Sequence, residues 1–252
     1  MYDVRFERIS NAIFYCCICF AFFSCKPKSQ PKTIKPKAKI VASSKPVILN
    51  SCSYSNDVSS LGIGLIMAAD TVELFNDSLL TSRYIKVSMY GDNMNIAPVC
   101  PKFYKPDYGI MHFVCLSQTS KVYTVLNGKA DVKYLPRVKG YDFITWEKYI
   151  LSSFGVKRTT ENGSRPVNDQ PLRISPGSAD TVVIPKGLEM FCPVKLKGDW
   201  LKVKYDCFYN DEDTKHKSEP CNSYISECKN PTTGWIRWHE GNKLLIDIFV
   251  ME

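Results

Sequence analysis

Apolar and polar residues alternate along several short stretches of the chain, as they do in β-strands that bury one face. Residues 71–75 ("TVELF") and 84–90 ("YIKVSMY") show this alternation, and a turn-forming "GDN" follows the second stretch. A continuous apolar run at 110–116 ("IMHFVCL") predicts a strand that is buried on both faces. These patterns favour a mainly β fold.

Two further stretches give more specific predictions. Two alternating runs flank Asn127 and Gly128, a pair that favours the two-residue type I′ turn of a β-hairpin. The pattern then changes to helical spacing in "TWEKYILSSFG", which predicts a short helix with Thr145 as its N-cap and Gly155 just past its C-terminus. Its apolar positions are Trp146, Tyr149, Ile150 and Phe154.

The N-terminal segment predicts export. An uncharged apolar run of 13 residues covers 12–24, too short for a membrane-spanning helix but typical of a signal peptide. The run ends in Ser24 and Cys25, and this resembles the lipobox of bacterial lipoproteins. We therefore predict a signal peptide over residues 1–24 and a lipid anchor on Cys25; a plain signal peptide or a short membrane anchor is the alternative.

Residues 25–50 predict an extended tether. The part at 26–46 has seven lysines, four prolines and no acidic residue, so it has little apolar surface to bury and repels itself. The formal charge of the chain is +8, and these seven lysines account for nearly all of it. The remainder is almost neutral, which argues against nucleic acid as a partner.

Residues 171–246 contain several motifs in a recognisable order. They are "LRISPG", "IPKG", "GDWLKVKY" and "GWIRWHEGNKLLI", and together they resemble a bacterial SH3-like domain. The resemblance implies a small β-barrel over 171–252, with a long insert at 206–233 where the family has a short connection. A polar stretch at 156–170 predicts a linker, and residues 51–155 predict a first small β domain. The predicted fold is thus mainly β, with two small SH3-like barrel or half-barrel domains in tandem and one short helix between them.

The spacing of two tryptophans near the C-terminus suggests different roles for them. In a strand, Trp235 and Trp238 lie on opposite faces, so we expect Trp235 in the core and Trp238 half-exposed beside a shallow groove. The predicted ligand-binding residues are Trp200, Tyr209 and Trp238.

Seven cysteines follow Cys25, and an exported protein is expected to oxidise some of them. Cys207, Cys221 and Cys228 bracket the insert, which has little apolar material, so we predict one disulfide among these three. Cys115 and Cys192 lie in apolar runs and are predicted to be buried thiols. A zinc site with His216 is the less favoured alternative, because the spacing of these cysteines differs from that of zinc knuckles. We predict no metal and no cofactor.

Catalytic signals are weak. "YDC" at 205–207 resembles the nucleophile region of cell-wall cysteine peptidases, but Cys207 follows a strand, whereas such a nucleophile usually opens a helix. His112 lies in an apolar run and is predicted to be a core histidine. The predicted function is a non-enzymatic lipoprotein of the cell envelope, facing the periplasm or the cell surface, that binds a cell-wall glycan or a peptide. The alternative is a protein-protein interaction or inhibitor lipoprotein, and a cysteine peptidase is less favoured.

Overall fold

The computed structural model describes residues 58–90, 98–159, 170–185, 189–209, 216 and 219–250. Its elements fall within one compact unit, residues 47–252. The first half contains β1 (Gly64–Ala68), β2 (Thr71–Phe75), β3 (Arg83–Ser88), β4 (Phe103–Lys105), β5 (Ile110–Gln118), β6 (Val122–Asn127), β7 (Asp131–Pro136), β8 (Tyr141–Ile144) and α1 (Trp146–Leu151). The second half contains β9 (Gly155–Arg158), β10 (Phe191–Lys197), β11 (Trp200–Tyr205), α2 (Cys221–Tyr224), β12 (Thr233–Arg237), β13 (His239–Glu240), β14 (Lys243–Leu244) and β15 (Ile246–Phe249). Short 3₁₀ turns lie at Pro106–Tyr108 and Ile225–Glu227.

The first half forms one antiparallel sheet with the order β3-β2-β7-β6-β5-β1-β8, and β4 pairs with β5 beside this path. The strand predicted at 71–75 is confirmed as β2, where Val72 and Leu74 are buried and their neighbours are more exposed. The predicted buried strand is β5, whose first six residues are all buried. Alternation therefore located β2 correctly, and the continuous apolar run located β5.

The hairpin between β6 and β7 differs from its predicted form. Asn127 pairs with Asp131, so the loop has three residues instead of two. Gly128 has a φ of +72°, whereas Asn127 does not have a positive φ. The Asn127 side chain instead accepts a hydrogen bond from the Cys100 backbone N–H (2.7 Å). This contact with a distant segment explains why Asn127 stays in the strand.

The predicted helix is confirmed as α1, and the Thr145 hydroxyl accepts the Lys148 backbone N–H (3.2 Å) as an N-cap does. It ends earlier than predicted, at Leu151 with Ser152 as C-cap. Gly155 is not its terminating glycine but the first residue of β9. Within the predicted linker at 156–170, residues 156–158 belong to this strand, and 160–169 lie outside the described residues.

The second half forms a five-stranded antiparallel sheet with the order β12-β11-β10-β9-β15. "LRISPG" is not a regular strand of it: Arg173 makes single bridges to Thr181 and to Trp235. In β11, the buried Leu201, Val203 and Tyr205 alternate with half-exposed residues. This sheet thus has a core face and an outer face.

The main hydrophobic cluster takes residues from both halves of the chain. It includes Val114 and Trp146 from the first half and Leu201, Ile236 and Trp238 from the second. A second cluster lies on the first sheet around Phe113, and a small third one surrounds Cys192 and Cys221. The mainly β prediction is confirmed. No sheet formed by the described residues closes into a barrel.

Nothing in the described part of the chain is a helix long and apolar enough to cross a membrane. The predicted signal peptide, Cys25 and the tether lie outside the described residues.

Candidate functional site

A groove of about 480 Å³ lies against the outer face of the second sheet. One wall is formed by the start of β11 and the end of β12, and the other by the loop that follows residue 169. The residues that line the groove are Gln170, Pro171, Arg173, Gly177, Ala179, Trp200 and Arg237.

Trp200 and Arg237 form the sheet wall of the groove. They are cross-strand partners in the β11–β12 ladder, so their side chains project from the same face. Trp200 comes directly after a tight turn in which Gly198 has a φ of +56°. Its indole is only half-buried. The groove therefore has one aromatic ring available for contact with a ligand.

The Arg237 guanidinium is already balanced by acidic side chains. It donates to Glu240 Oε1 (2.6 Å) and lies 3.7 Å from Asp199 Oδ2. Asp199 also contacts His239 Nε2 at 3.1 Å. Arg237 thus brings little uncompensated positive charge to the groove.

Arg173 lies on the loop wall and is held there by its backbone. It exchanges two backbone hydrogen bonds with Trp235, of 2.9 Å and 2.8 Å. Its guanidinium donates to the backbone carbonyl of Ser178. It forms no ion pair with any carboxylate of the described residues. Among the described residues that line the groove, Arg173 is therefore the cation without an acidic partner.

Gln170 lines the groove and is only 7% exposed. Arg158 holds its backbone, since Arg158 Nη1 donates to the Gln170 carbonyl at 2.7 Å. Arg158 is itself paired with Glu189. The Gln170 side-chain amide donates to the Arg237 carbonyl, while its side-chain oxygen has no hydrogen-bond partner in the described part of the chain.

The three predicted ligand residues do not come together. Trp200 lines the groove. Tyr209 is 46% exposed but is not part of the groove lining. The residues that sequence reasoning missed are Gln170, Arg173 and Arg237. Arg173 belongs to "LRISPG" and Arg237 to "GWIRW". The two arginines lie at one groove because Arg173 bridges to Trp235, a residue far from it in the chain.

The expected division between a buried Trp235 and a half-exposed Trp238 does not hold, because both side chains are buried and it is Trp238 that faces the main core. Trp238 is 7% exposed and belongs to the main core, where its ring centroid lies 6.0 Å from that of Trp146. Trp235 pairs with Lys202 and so lies on the outer face, yet it is 8% exposed. The Arg173 segment lies along it, and the Lys195 ammonium sits 5.7 Å from its ring centroid. Trp238 therefore presents little surface for a ligand.

Two disulfides fix the insert. Cys207 bonds to Cys228, a pair within the predicted set, and Cys221 bonds to Cys192. The prediction of a buried thiol at Cys192 is therefore wrong, because α2 brings Cys221 against β10. Cys115 is a free, buried thiol as predicted, and burial raises its pKa to about 12. His216 stacks on Tyr224 with ring centroids 4.4 Å apart, and no cluster of metal-binding side chains occurs within the described ranges.

His112 is a core histidine, as predicted. It is 8% exposed, and its Nδ1 lies 3.0 Å from the Tyr149 hydroxyl. Burial lowers the pKa of His112 to about 4 and raises the pKa of Tyr149. Both side chains are therefore neutral at pH 7, and their contact joins β5 to α1.

The lowered pKa of His112 predicts acid sensitivity. The unfolded chain takes up the proton near pH 6.5, whereas the folded protein takes it up only near pH 4. Stability should therefore fall as the pH drops from about 6.5 to about 4, by on the order of 3 kcal/mol from this residue. In His112→Gln, which keeps a polar group near Tyr149, we expect a smaller loss between pH 7 and pH 4.5. Urea unfolding at both pH values measures the difference, and an equal loss in both proteins would contradict it.

No protein-family profile, curated protein or solved structure gives a significant match to this chain.

Proposed function

We propose that the protein is an exported, membrane-anchored and non-enzymatic binding module for cell-envelope material or peptides, and that the groove beside Trp200 is its binding site. The observation that carries the proposal is the groove itself. It combines one half-exposed indole with an uncompensated guanidinium, on the outer face of a sheet whose other face is packed in the core. Binding sites commonly combine apolar or aromatic surface with a few placed polar groups.

The SH3-like assignment of the second half is part of this proposal. It is supported by how the motif residues meet: Arg173 of "LRISPG" bridges to Trp235 of "GWIRW", and β11 of "GDWLKVKY" pairs with the same strand. The disulfides are compatible with an oxidising compartment and so support export.

The state of Cys207, Cys115 and His112 argues against the peptidase alternative. Cys207 is in a disulfide and has no thiolate to offer. Cys115 is buried with a pKa of about 12, and His112 is buried with a pKa of about 4. Neither of these two groups is suited to nucleophilic or acid–base catalysis near neutral pH.

The test is retention of the full-length protein, purified in detergent, on protein-free peptidoglycan. We expect Trp200→Ala to weaken retention about fivefold, the equivalent of a stacking contribution of about 1 kcal/mol. Tyr108→Ala is the matched control, since this exposed tyrosine lies in the first half of the chain. Loss of retention in both variants, or in neither, would contradict a site at the groove. Stable co-purification of one protein partner in place of peptidoglycan would favour the interaction alternative.

A further inference from the structure

The groove contains one cation that has no acidic partner among the described residues. Of its two guanidinium groups, that of Arg237 is paired with Glu240 and lies close to Asp199. Within the described ranges, the Arg173 guanidinium forms one hydrogen bond, to the backbone carbonyl of Ser178. A guanidinium has five N–H donors in a planar fork that matches a carboxylate. Arg173 therefore has donors left for an anionic group in the groove.

The charge around the groove favours the same kind of ligand. Lys197 is the strand partner of Trp200, and Lys195 is that of Lys202. Lys202 and Lys204 lie on the same face of β11 as Trp200. None of these four lysines forms an ion pair with a described residue. Their summed potential attracts anions to this face.

The Gln170 side chain adds a requirement for a hydrogen-bond donor. Its amide group donates to the Arg237 carbonyl, and its oxygen is buried with no donor among the residues that the structure describes. A buried acceptor that lacks a donor is costly, so a ligand whose N–H meets this oxygen when the side-chain amide turns toward the groove gains affinity. The last residue of a peptide has a carboxylate and an amide N–H a few bonds apart, and so meets both requirements.

We propose that the groove binds the C-terminal end of a peptide. Arg173 pairs with the terminal carboxylate, the Gln170 oxygen accepts the last amide N–H, and Trp200 packs against the side chain. This assignment rests on the proposed function, because it names the ligand chemistry of the same groove.

The test compares two small probes on the full-length protein in detergent. N-acetyl-dialanine with a free carboxylate is titrated against the same dipeptide with a C-terminal amide, and binding is followed by tryptophan fluorescence or by NMR. We expect the acid to bind at least about tenfold more tightly, as the loss of one charge-assisted pair implies. This comparison needs no variant.

Two variants then test whether the preference for the free carboxylate depends on Arg173. Arg173→Gln should reduce the affinity for the acid to about that for the amide, and its effect on the affinity for the amide should be much smaller. Arg137→Gln is the matched control, because Arg137 also donates to a backbone carbonyl, that of Thr119, but lies in the first half of the chain. Thermal unfolding of each variant shows whether it is folded.

Equal binding of the acid and the amide would overturn the proposal, and so would equally tight binding of glucuronate, an anion without a peptide group. If neither dipeptide binds while peptidoglycan retention still depends on Trp200, the C-terminal assignment fails and the binding module stands. If retention is absent or independent of Trp200, the proposed function itself fails.

Discussion

Replacing Trp238 by alanine is expected to lower the stability of the protein by about 3–5 kcal/mol, the range found for large aromatic residues in cores. The side chain is 7% exposed and belongs to the main cluster. Its indole N–H donates to the Gly198 carbonyl at 2.9 Å, and its ring contacts Trp146 of α1. The substitution removes contacts between the two halves of the chain and leaves a cavity there. Thermal unfolding should show a fall in Tm on the order of 10 °C, given about 2–4 °C per kcal/mol for a body of this size.

Trp200→Ala is the control for this prediction. Trp200 is also an indole in the second sheet, but it is half-buried on the outer face. Its removal should cost about 1 kcal/mol or less. Comparable destabilisation by the two substitutions would contradict the assignment of Trp238 to the core and of Trp200 to the groove.

The two tryptophans of "GWIRW" show what alternation can and cannot predict. Strand periodicity requires that Trp235 and Trp238 project from opposite faces if the strand is regular, and they do. It does not say which face is covered, because that depends on a distant element. Here α1 brings Trp146 against Trp238, and the Arg173 segment covers Trp235. Both contacts join segments more than 60 residues apart, which local patterning does not specify.

Local signals were reliable where a segment determines its own conformation. β2 has the predicted bounds, and α1 begins after the predicted N-cap. The predicted two-residue turn at Asn127 is wrong, because the Asn127 side chain accepts a long-range hydrogen bond from the Cys100 backbone N–H. The groove could be predicted only in part, since Trp200 stood out as an aromatic residue while the unpaired state of Arg173 follows from tertiary placement.

The sequence also predicts the pairing of the cysteines only in part, because that pairing depends on tertiary contacts. Sequence placed Cys192 in an apolar run, which fits a buried thiol and half of a buried disulfide equally well. The pairing with Cys221 depends on α2 packing against β10, and α2 lies within the insert whose fold the sequence did not specify.

Removal of the disulfide between Cys192 and Cys221 is expected to destabilise the protein by about 3 kcal/mol, since it closes a loop with a sequence separation of 29 residues. Both residues are fully buried in the small third cluster, which has few other apolar members, so little packing compensates for the loss. The double variant Cys192→Ala, Cys221→Ala avoids an unpaired thiol, and thermal unfolding measures its effect. The double variant Cys207→Ser, Cys228→Ser is the comparison. We expect this second variant to lose less stability than the first, because Cys207 is exposed and its substitution leaves a smaller cavity.

Reduction of the wild-type protein breaks its disulfides together, including that of Cys100, and so measures their combined contribution to stability. A reductant should lower its Tm, and labelling before and after reduction should show that Cys192, Cys221, Cys207 and Cys228 become reactive. The thiol of Cys115 should be labelled only after unfolding, because it is buried and its pKa is raised to about 12. An unchanged Tm after complete reduction would mean that packing of α2 against β10 holds the insert without its covalent links. In that case the variant Cys192→Ala, Cys221→Ala should lose only the stability that corresponds to the cavity left by the two substitutions.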